Sequence, residues 1–506
     1  MSKIGWWKTA CAVFVFCIAA ASALPAQTVT VTVLHAFNGR DGADSHAALI
    51  QGTDGNLYGT TSSGGTGDGG TVFEITPRGK LTTLYSFCSQ NNCADGETPY
   101  AGVIQASDGN FYGTTYHGGA NGDYGTVFRI TPDGTLTTLY SFCSQSDCTD
   151  GERPAASLIQ ATDGNLYGTT TYGGANGYIC GEGCGTVFEI TPSGTLTTLY
   201  SFCSQAGCLD GADPYAALIQ GTDGNFYGLT VEGGANSCIV GTTNYGCGTL
   251  FRIAPGGTLT TLYNFCSVLE GGTCMDGEYP QAPLLQAVDG NFYGTTSEGG
   301  TKGNLCYFYG CGTAFSITPN GTLTTLHRFF TASGAYPYGA LVQAANGNFY
   351  GTTLSGGDTS THEGAVYELT PNGALRTLLY FCGMGGGCDG GRPWAALFEG
   401  TDGNLYGTTS YAGKGFDGTV LSVSVGLSPF VETQPASGHV GAGVRILGTD
   451  LTGATSVTFN DTPAVFKVVK SSYITTTVPA GATTGTVQVV TPGGTLLGNV
   501  PFQVLP

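Results

Sequence analysis

The sequence predicts an all-β protein: a seven-bladed β-propeller with four antiparallel strands per blade, closed by its N-terminal strand, followed by an Ig-like β-sandwich. Three observations lead there. A phrase of the form DGN(L/F)YGTT, or a near variant, recurs with Asp54, Asp108, Asp163, Asp223, Asp289, Asn346 and Asp402 in first position, adjacent copies lying 54 to 66 residues apart. Each copy sits in a unit of four short runs rich in Thr, Leu and aromatics, separated by Gly- and Pro-bearing turns. The seventh unit lacks its fourth run, and an unassigned run of that kind precedes the first.

Residues 1–26 read as a signal peptide. Lys3 and Lys8 flank an apolar run from Thr9 to Ala23, and small residues with Pro25 follow, so cleavage is expected between Ala23 and Gln27, after Ala26. This implies a secreted, extracellular or periplasmic protein. No later stretch is apolar enough to cross a bilayer, so a membrane-spanning protein is not expected. The chain carries 16 basic and 35 acidic residues, and loss of the two signal lysines leaves a net charge of −21. A phosphate backbone would be repelled, which argues against nucleic acid as a partner. Charged residues are only 10% and Gly reaches 85, too apolar for a disordered chain and too rich in turn-formers for a helical one.

Residues 27–427 hold the propeller. Within a unit, AALIQ is the innermost strand a. An Asp-Gly-Asn hairpin turn leads to LYGTT, strand b. GTVFEIT is strand c, and a Thr-Pro-x-Gly turn leads to TLTTLYSF, strand d. One such unit has little core of its own, so separate sandwiches are less economical than blades. After strand c of the seventh unit, Gly418 to Val425, no strand d follows. The orphan run at Thr28 to Phe37 is expected to complete that blade and remove the free edges.

Cys11 and Cys17 leave with the signal. The other 16 cysteines form eight close pairs. Five follow strand d: Cys88 with Cys93, Cys143 with Cys148, Cys203 with Cys208, Cys266 with Cys274 and Cys382 with Cys388. Three lie between strands b and c: Cys180 with Cys184, Cys238 with Cys247 and Cys306 with Cys311. Even number, local pairing and an export signal predict disulfides. A thiolate zinc site needs four converging ligands, and pairs separated by whole repeats are not expected to converge, so no metal is expected. Each bridge closes a short loop, worth about 2 kcal/mol, and stiffens that loop without holding the fold together.

Turns a–b and c–d fall on one face, and loops b–c and d–a on the other, with all the cysteine pairs and all the length variation. Variable loops on a rigid scaffold are the natural binding face. The position just before strand a reads His46, Tyr100, Ala155, Tyr215, Gln281, Tyr338 and Trp394 through the units, and is expected to ring the channel mouth. The end of strand b reads Ser63, His117, Tyr172, Glu232, Glu298, Ser355 and Tyr411. Aromatics with a few polar groups around a concave mouth suit a sugar or another small polar ligand, while packing of the rings against neighbouring loops accounts for them equally well. The ligand-binding candidates are thus His46, Tyr100, Tyr215, Gln281, Tyr338, Trp394, His117, Tyr172, Glu232, Glu298 and Tyr411. No local catalytic motif is present, so no catalytic residue is expected. The alternative is acid–base chemistry by His46, His117, Glu232 and Glu298. Asp54 and its equivalents read as hairpin-turn residues. Asp41, Asp95, Asp150, Asp210, Asp276 and Asp389, each before Gly, read as Asx-turns rather than Ca²⁺ ligands, because no loop has the ligand density of an EF-hand.

The repeats resemble those of secreted bacterial tandem-repeat proteins known as GloVer-repeat proteins. The resemblance rests on DGNLYGTT, the Gly-Gly after it, GTVFEITP and GTLTTLYSF, and covers Thr28 to about Leu427. It implies an exported, surface-type protein. Many relatives of this choice-of-anchor type carry a C-terminal sorting anchor. This chain ends in FQVLP without an apolar tail, so attachment by such an anchor is not expected. A fainter similarity is to streptogramin lyases, which share the Asp-Gly-Asn and TP-G-T turns but favour a Trp-Phe-Thr-Glu pattern where this chain has LYGTT. Residues 428–506, with a turn at Pro435, Ser437 and Gly438, alternating Val444, Ile446 and Gly448, then VTFNDTPA, VPAGATTG and VQVVTPGG, resemble an IPT/TIG domain. That implies an Ig-like sandwich, and the apolar alternation agrees; its expected role is a spacer or docking module. The function expected is an extracellular recognition or scaffold protein, a monomer without cofactor, with carbohydrate the first ligand class. The alternative is a propeller lyase or hydrolase using the same mouth.

Overall fold

The computed structural model describes residues 29–176, 183–240, 243–357, 363–381, 390–411, 413 and 415–505. The expected signal peptide, Cys180, Cys382, Cys388 and Asp389 lie outside them. The expected bridge of Cys382 to Cys388 therefore falls wholly outside the described residues, and that of Cys180 to Cys184 falls outside by one partner.

Seven four-stranded antiparallel sheets follow one another along the chain. Blade one consists of Ile50–Gln51, Leu57–Thr61, Thr71–Ile75 and Leu81–Ser86. Blade seven takes Phe398–Glu399, Leu405–Thr409 and Thr419–Ser424 from the end of the propeller and Thr30–Ala36 from its start. The latter two pair antiparallel, from Thr30 opposite Ser424 to Ala36 opposite Thr419. Strand a is shorter than AALIQ suggests, since its ladder holds only at Ile50–Gln51 and the equivalent dipeptides. Nearer the mouth the backbone bonds sideways to another blade: Thr60 Oγ1 donates to the Ala101 carbonyl at 2.9 Å.

The core lies between blades. Tyr58, Val72 and Phe87 of blade one pack against Val103, Phe111, Phe128 and Ile130 of blade two. The closing blade repeats this with Tyr406 and Val420 against Leu49, Leu57, Phe73 and Ile75, joined by Phe37 from the N-terminal segment. The glycine of LYGTT is required by these contacts, because a Cβ on Gly59 would lie 2.7 Å from both Leu49 Cδ2 and Phe73 Cζ.

The aspartates divide by position. Asp54 makes an Asx-turn, accepting the Asn56 N–H at 3.1 Å, and also takes the Tyr58 hydroxyl at 2.9 Å. In blade six Asn346 reverses one bond, its amide donating to the Tyr350 hydroxyl at 2.9 Å. The described members of the second series do not form Asx-turns. Asp95 is fully buried and accepts the Tyr85 hydroxyl, the Ser89 N–H and hydroxyl, and the Gln90 N–H, all from residues before it. Asp150, Asp210 and Asp276 do the same. Burial pushes the Asp95 carboxyl up, and these donors together outweigh it and hold it below the usual range.

At the opposite face the a–b turns are tied in a ring. Each turn's N–H donates to the amide oxygen of a strand-a Gln in the next blade: Thr53 to Gln105, Ser107 to Gln160, Thr162 to Gln220, Thr222 to Gln286 and Val288 to Gln343, with Thr401 to Gln51 across the closure. The remaining step runs from Ala345 to Glu399. The C-terminal sandwich rests on this face. Its sheets are Val431–Gln434, Gly443–Gly448, Tyr473–Thr477 and Phe466–Lys470 on one side, and Thr462–Pro463, Ser456–Phe459, Val487–Thr491 and Gly494–Leu497 on the other. Val431, Ile446, Leu451, Phe459, Ile474, Val487 and Phe502 fill its core. Ser472 donates to the Thr53 carbonyl at 2.7 Å, Thr449 meets Thr401 at 2.9 Å, and Arg445 Nη2 donates to the Ala106 carbonyl at 3.3 Å.

Candidate functional site

The residues His46, Tyr100, Ala155, Tyr215, Gln281, Tyr338 and Trp394 line one cavity of about 310 Å³ at the channel mouth. Below them the wall is built from small residues, such as Ala47 and Ala48, Ala156 and Ser157, and Ala395 and Ala396. Two contacts hold the mouth residues, the first of them lacking at Gln281. The residue after it gives its carbonyl to a strand-b threonine of the preceding blade in five blades: Thr60 to Ala101, Thr114 to Ala156, Thr169 to Ala216, Thr352 to Ala395 and Thr408 to Ala47. Thr295 instead donates to Pro337 and Gly339, on either side of Tyr338. Leu229 replaces this threonine in blade four, so the grip on the residue after Gln281 is missing.

The second contact was not visible in the sequence. Two positions before each mouth residue stands a non-glycine residue at positive φ: Asp44, Thr98, Arg153, Asp213, Tyr279, Tyr336 and Arg392, at 53–57°. Its N–H donates to the b–c loop of the preceding blade, as Thr98 does to Gly69 and Tyr279 to Cys247. Its carbonyl accepts from the end of strand b in its own blade, as Thr98 does from Tyr116. Such a conformation costs about 1–3 kcal/mol per residue and persists only where the surroundings impose it. In blades three to five the accepting carbonyl belongs to Cys184, Cys247 or Cys311, so the b–c disulfides fix the loop that receives the next blade.

The rings spend most of their faces on one another. Tyr338 stacks on Trp394 at 4.5 Å, His46 meets Trp394 edge-on at 5.3 Å, and His46 stacks on Tyr100 at 5.4 Å. Tyr100 in turn meets Tyr116 at 5.2 Å. This arc covers blades six, seven, one and two. Tyr215 faces it from blade four with Gln281 beside it. Burial lowers the pKa of His46 below the usual range, against the pull of Asp44.

The strand-b series lies a step further from the axis and does not join the cavity lining. His117, Tyr172, Glu232, Glu298 and Tyr411 each form a β-bridge with the d–a loop, to Glu97, Glu152, Ala212, Glu278 and Gly391 respectively. His117 Nδ1 lies 2.9 Å from Asp123 Oδ2. Tyr172 lies under Arg153 at 5.9 Å and Tyr411 under Arg392 at 5.0 Å. Blades four and five are acidic here. Burial, with Glu232 nearby, pushes Asp213 up to about 7, and burial lifts Glu232 as well. Burial holds Glu298 at about 7, and burial together with Glu298 does so for Glu278. The four residues of the acid–base alternative are therefore split, His46 and His117 in blades one and two, Glu232 and Glu298 in blades four and five.

Six local disulfides lie among the described residues: Cys88–Cys93, Cys143–Cys148, Cys203–Cys208, Cys238–Cys247, Cys266–Cys274 and Cys306–Cys311. Cys184 is disulfide-bonded too. The expectation that pairs stay a repeat apart is wrong for blade three, where the Sγ atoms of Cys184, Cys203 and Cys208 converge, and for blade four. The b–c loop folds back over the d–a loop of the same blade, and the Sγ atoms of Cys238, Cys247, Cys266 and Cys274 come within 4.8 Å of one another.

A family model described as the Gloeobacter/Verrucomicrobia repeat matches residues 19–242, 90–308 and 306–445, and an IPT/TIG domain model matches residues 429–504. No curated protein matches the chain by sequence. Among solved structures it is similar to the extracellular domain of a proposed hybrid two-component system from Bacteroides thetaiotaomicron, at 11% identity and a TM-score of 0.49. That match covers 93% of this chain and 58% of the other, so the chain spans little more than half of that domain's length. A proposed gluconolactonase is similar at 12% identity and a TM-score of 0.35, over 79% of this chain and 93% of that one.

Proposed function

This chain belongs to the Gloeobacter/Verrucomicrobia repeat family, and on that premise we propose that it is an exported recognition or scaffold protein that binds a carbohydrate or another small polar ligand at the channel mouth. One observation carries the reading. The cavity is walled by aromatic rings, small residues and Gln281, and no Asp, Glu, Lys or Arg is among the described residues that line it. Such a pocket offers apolar contact, tyrosine hydroxyls, an amide and the His46 imidazole, equipment that suits binding, with no carboxyl among the described lining residues to pair with that imidazole in proton transfer. Tyr215, which lines the cavity opposite the packed arc and makes no ring stack among the described residues, is where a sugar ring would stack. A glycan-array screen of the mature chain, with each hit remeasured on Tyr215→Ala, tests this. Binding that the substitution weakens supports it, and binding indifferent to the substitution removes the mouth as the site.

The second reading, a lyase or hydrolase, draws on Glu298. A carboxyl held near 7 by burial is poised as a general acid. It predicts that a bound ligand is converted on long incubation and that Glu298→Gln stops the conversion.

A further inference from the structure

Two cysteine pairs from different loops meet inside blade four. Cys238 and Cys247 belong to the b–c loop, Cys266 and Cys274 to the loop leading into blade five, and each pair is bonded within itself. All four residues are buried, as is Glu278, whose carboxylate oxygen shares the same 4.8 Å neighbourhood. Across the pairs, Cys238 Sγ and Cys274 Sγ are 3.9 Å apart. In a tetrahedral zinc thiolate with bonds of ~2.3 Å, neighbouring sulfurs are roughly 3.8 Å apart. That separation across the pairs is therefore already the one a closed four-sulfur site needs, and the other sulfurs lie within 4.8 Å.

We propose that this quartet, in its thiol form, is a binding site for one Zn²⁺ or another thiophilic divalent cation, so that the same residues serve as two disulfides when oxidised and as a metal centre when reduced. Each disulfide takes two electrons and two protons from one equivalent of a dithiol, which departs as its own disulfide. The four resulting thiols give up four protons to solvent as the cation binds. Opening each S–S bond to the tetrahedral spacing moves each sulfur by only ~1 Å, which side-chain rotation supplies. Glu278 Oε2, at 2.8 Å from Cys238 Sγ and 3.4 Å from Cys274 Sγ, adds an oxygen at the edge of the set. Convergence sets this quartet apart from most other pairs. Cys88 with Cys93 and Cys143 with Cys148 each meet a single glutamate, Glu97 or Glu152, and no second pair among the described residues. In blade three Cys184, Cys203 and Cys208 converge in the same way.

The test uses the full chain, reduced with a dithiol, freed of reductant without oxygen, and titrated with Co²⁺, whose visible d–d bands report tetrahedral thiolate ligation. Two double variants, C238S/C247S and C266S/C274S, are compared with C306S/C311S, which removes a pair standing alone. Each blade-four variant should bind one Co²⁺ fewer than the unsubstituted chain, their combination should lose no more than either, and C306S/C311S should lose none. Equal loss in all three would mean adventitious thiol binding. No loss in the blade-four variants, or collapse of the near-ultraviolet circular dichroism on reduction, would also overturn the proposal.

Discussion

Glu399 Oε1 accepts the Ala345 N–H at 3.3 Å, in the step of the seven-step ring that no glutamine makes. In the other strands a, the glutamine Nε2 also donates to a turn carbonyl of its own blade, as Gln51 does to Gly55 at 3.2 Å. A carboxylate cannot donate, and Glu399 Oε2 has no partner among the described residues. Burial, with Glu432 of the sandwich nearby, raises Glu399 to about 7, while the Ala345 N–H pulls the other way. The unfolded carboxyl titrates near 4.5, so the folded chain holds the extra proton between about 4.5 and 7. Its contribution is fully present below that window and is lost as pH rises through it. Glu399→Gln supplies a permanent donor. Thermal unfolding should place the variant a few degrees above the unsubstituted chain at pH 8, on the order of 1–2 kcal/mol, with the gap closing towards pH 5. A pH-independent gap would mean that Glu399 does not change protonation on folding.

Deleting residues 28–37 removes the strand opposite Thr419–Ser424 and the Phe37 ring from the closing core. The exposed edge should show as oligomers in size-exclusion chromatography and as a marked loss of melting temperature. A deletion that stays monomeric with unchanged melting would contradict the closure.

In the oxidised protein, non-reducing peptide mapping should recover the six described bridges, each within one loop. It should also recover Cys180 with Cys184 and Cys382 with Cys388, the two pairs that the sequence predicts beyond those six. The cross-link most worth seeking as a contradiction is Cys238 to Cys274, whose sulfurs are 3.9 Å apart. Reduction should raise hydrogen exchange in the loops of that face before it reaches the sheets.

If the mouth binds ligand, Tyr215→Ala and Trp394→Ala should separate. Tyr215 makes no ring stack among the described residues, so its loss should weaken binding about tenfold, ~1.4 kcal/mol, with little change in stability. Trp394 is held between Tyr338 and His46, so its loss should lower melting as well as affinity. Asn165→Asp, in a turn on the opposite face, should leave affinity unchanged, while the loss of the Asn165 amide's bond to Glu189 at 2.6 Å lowers melting. Calorimetric titration and thermal unfolding of the three variants decide this.

The repeat phrase made the blades legible, and the missing fourth run after Val425 made the closure legible, because both are local patterns at fixed spacing. The clip through Thr98, Arg153 and Tyr279 was hidden. Positive φ there is imposed by bonds to two blades and falls on acidic, basic, hydroxyl and aromatic residues alike, leaving only a Gly two positions before and often a Pro after. The stacking of Tyr338 on Trp394 was hidden too, since spacing tells which residues share a rim but not where their faces point. Convergence of the cysteines in blade four depends on how one loop folds over another, which no count of residues between them reveals.

The pairing of Thr30–Ala36 with Thr419–Ser424 joins segments about 390 residues apart. At a synthesis rate of about 5–20 residues per second, the first strand is made roughly 20–80 s before its partner exists. Through that interval its neighbour-to-be is absent and the growing row of blades stands as an open arc. The propeller is thus latched by its first-made strand against its last-made one, and any delay in elongation or export lengthens the time that an unsatisfied β-edge is available to strangers.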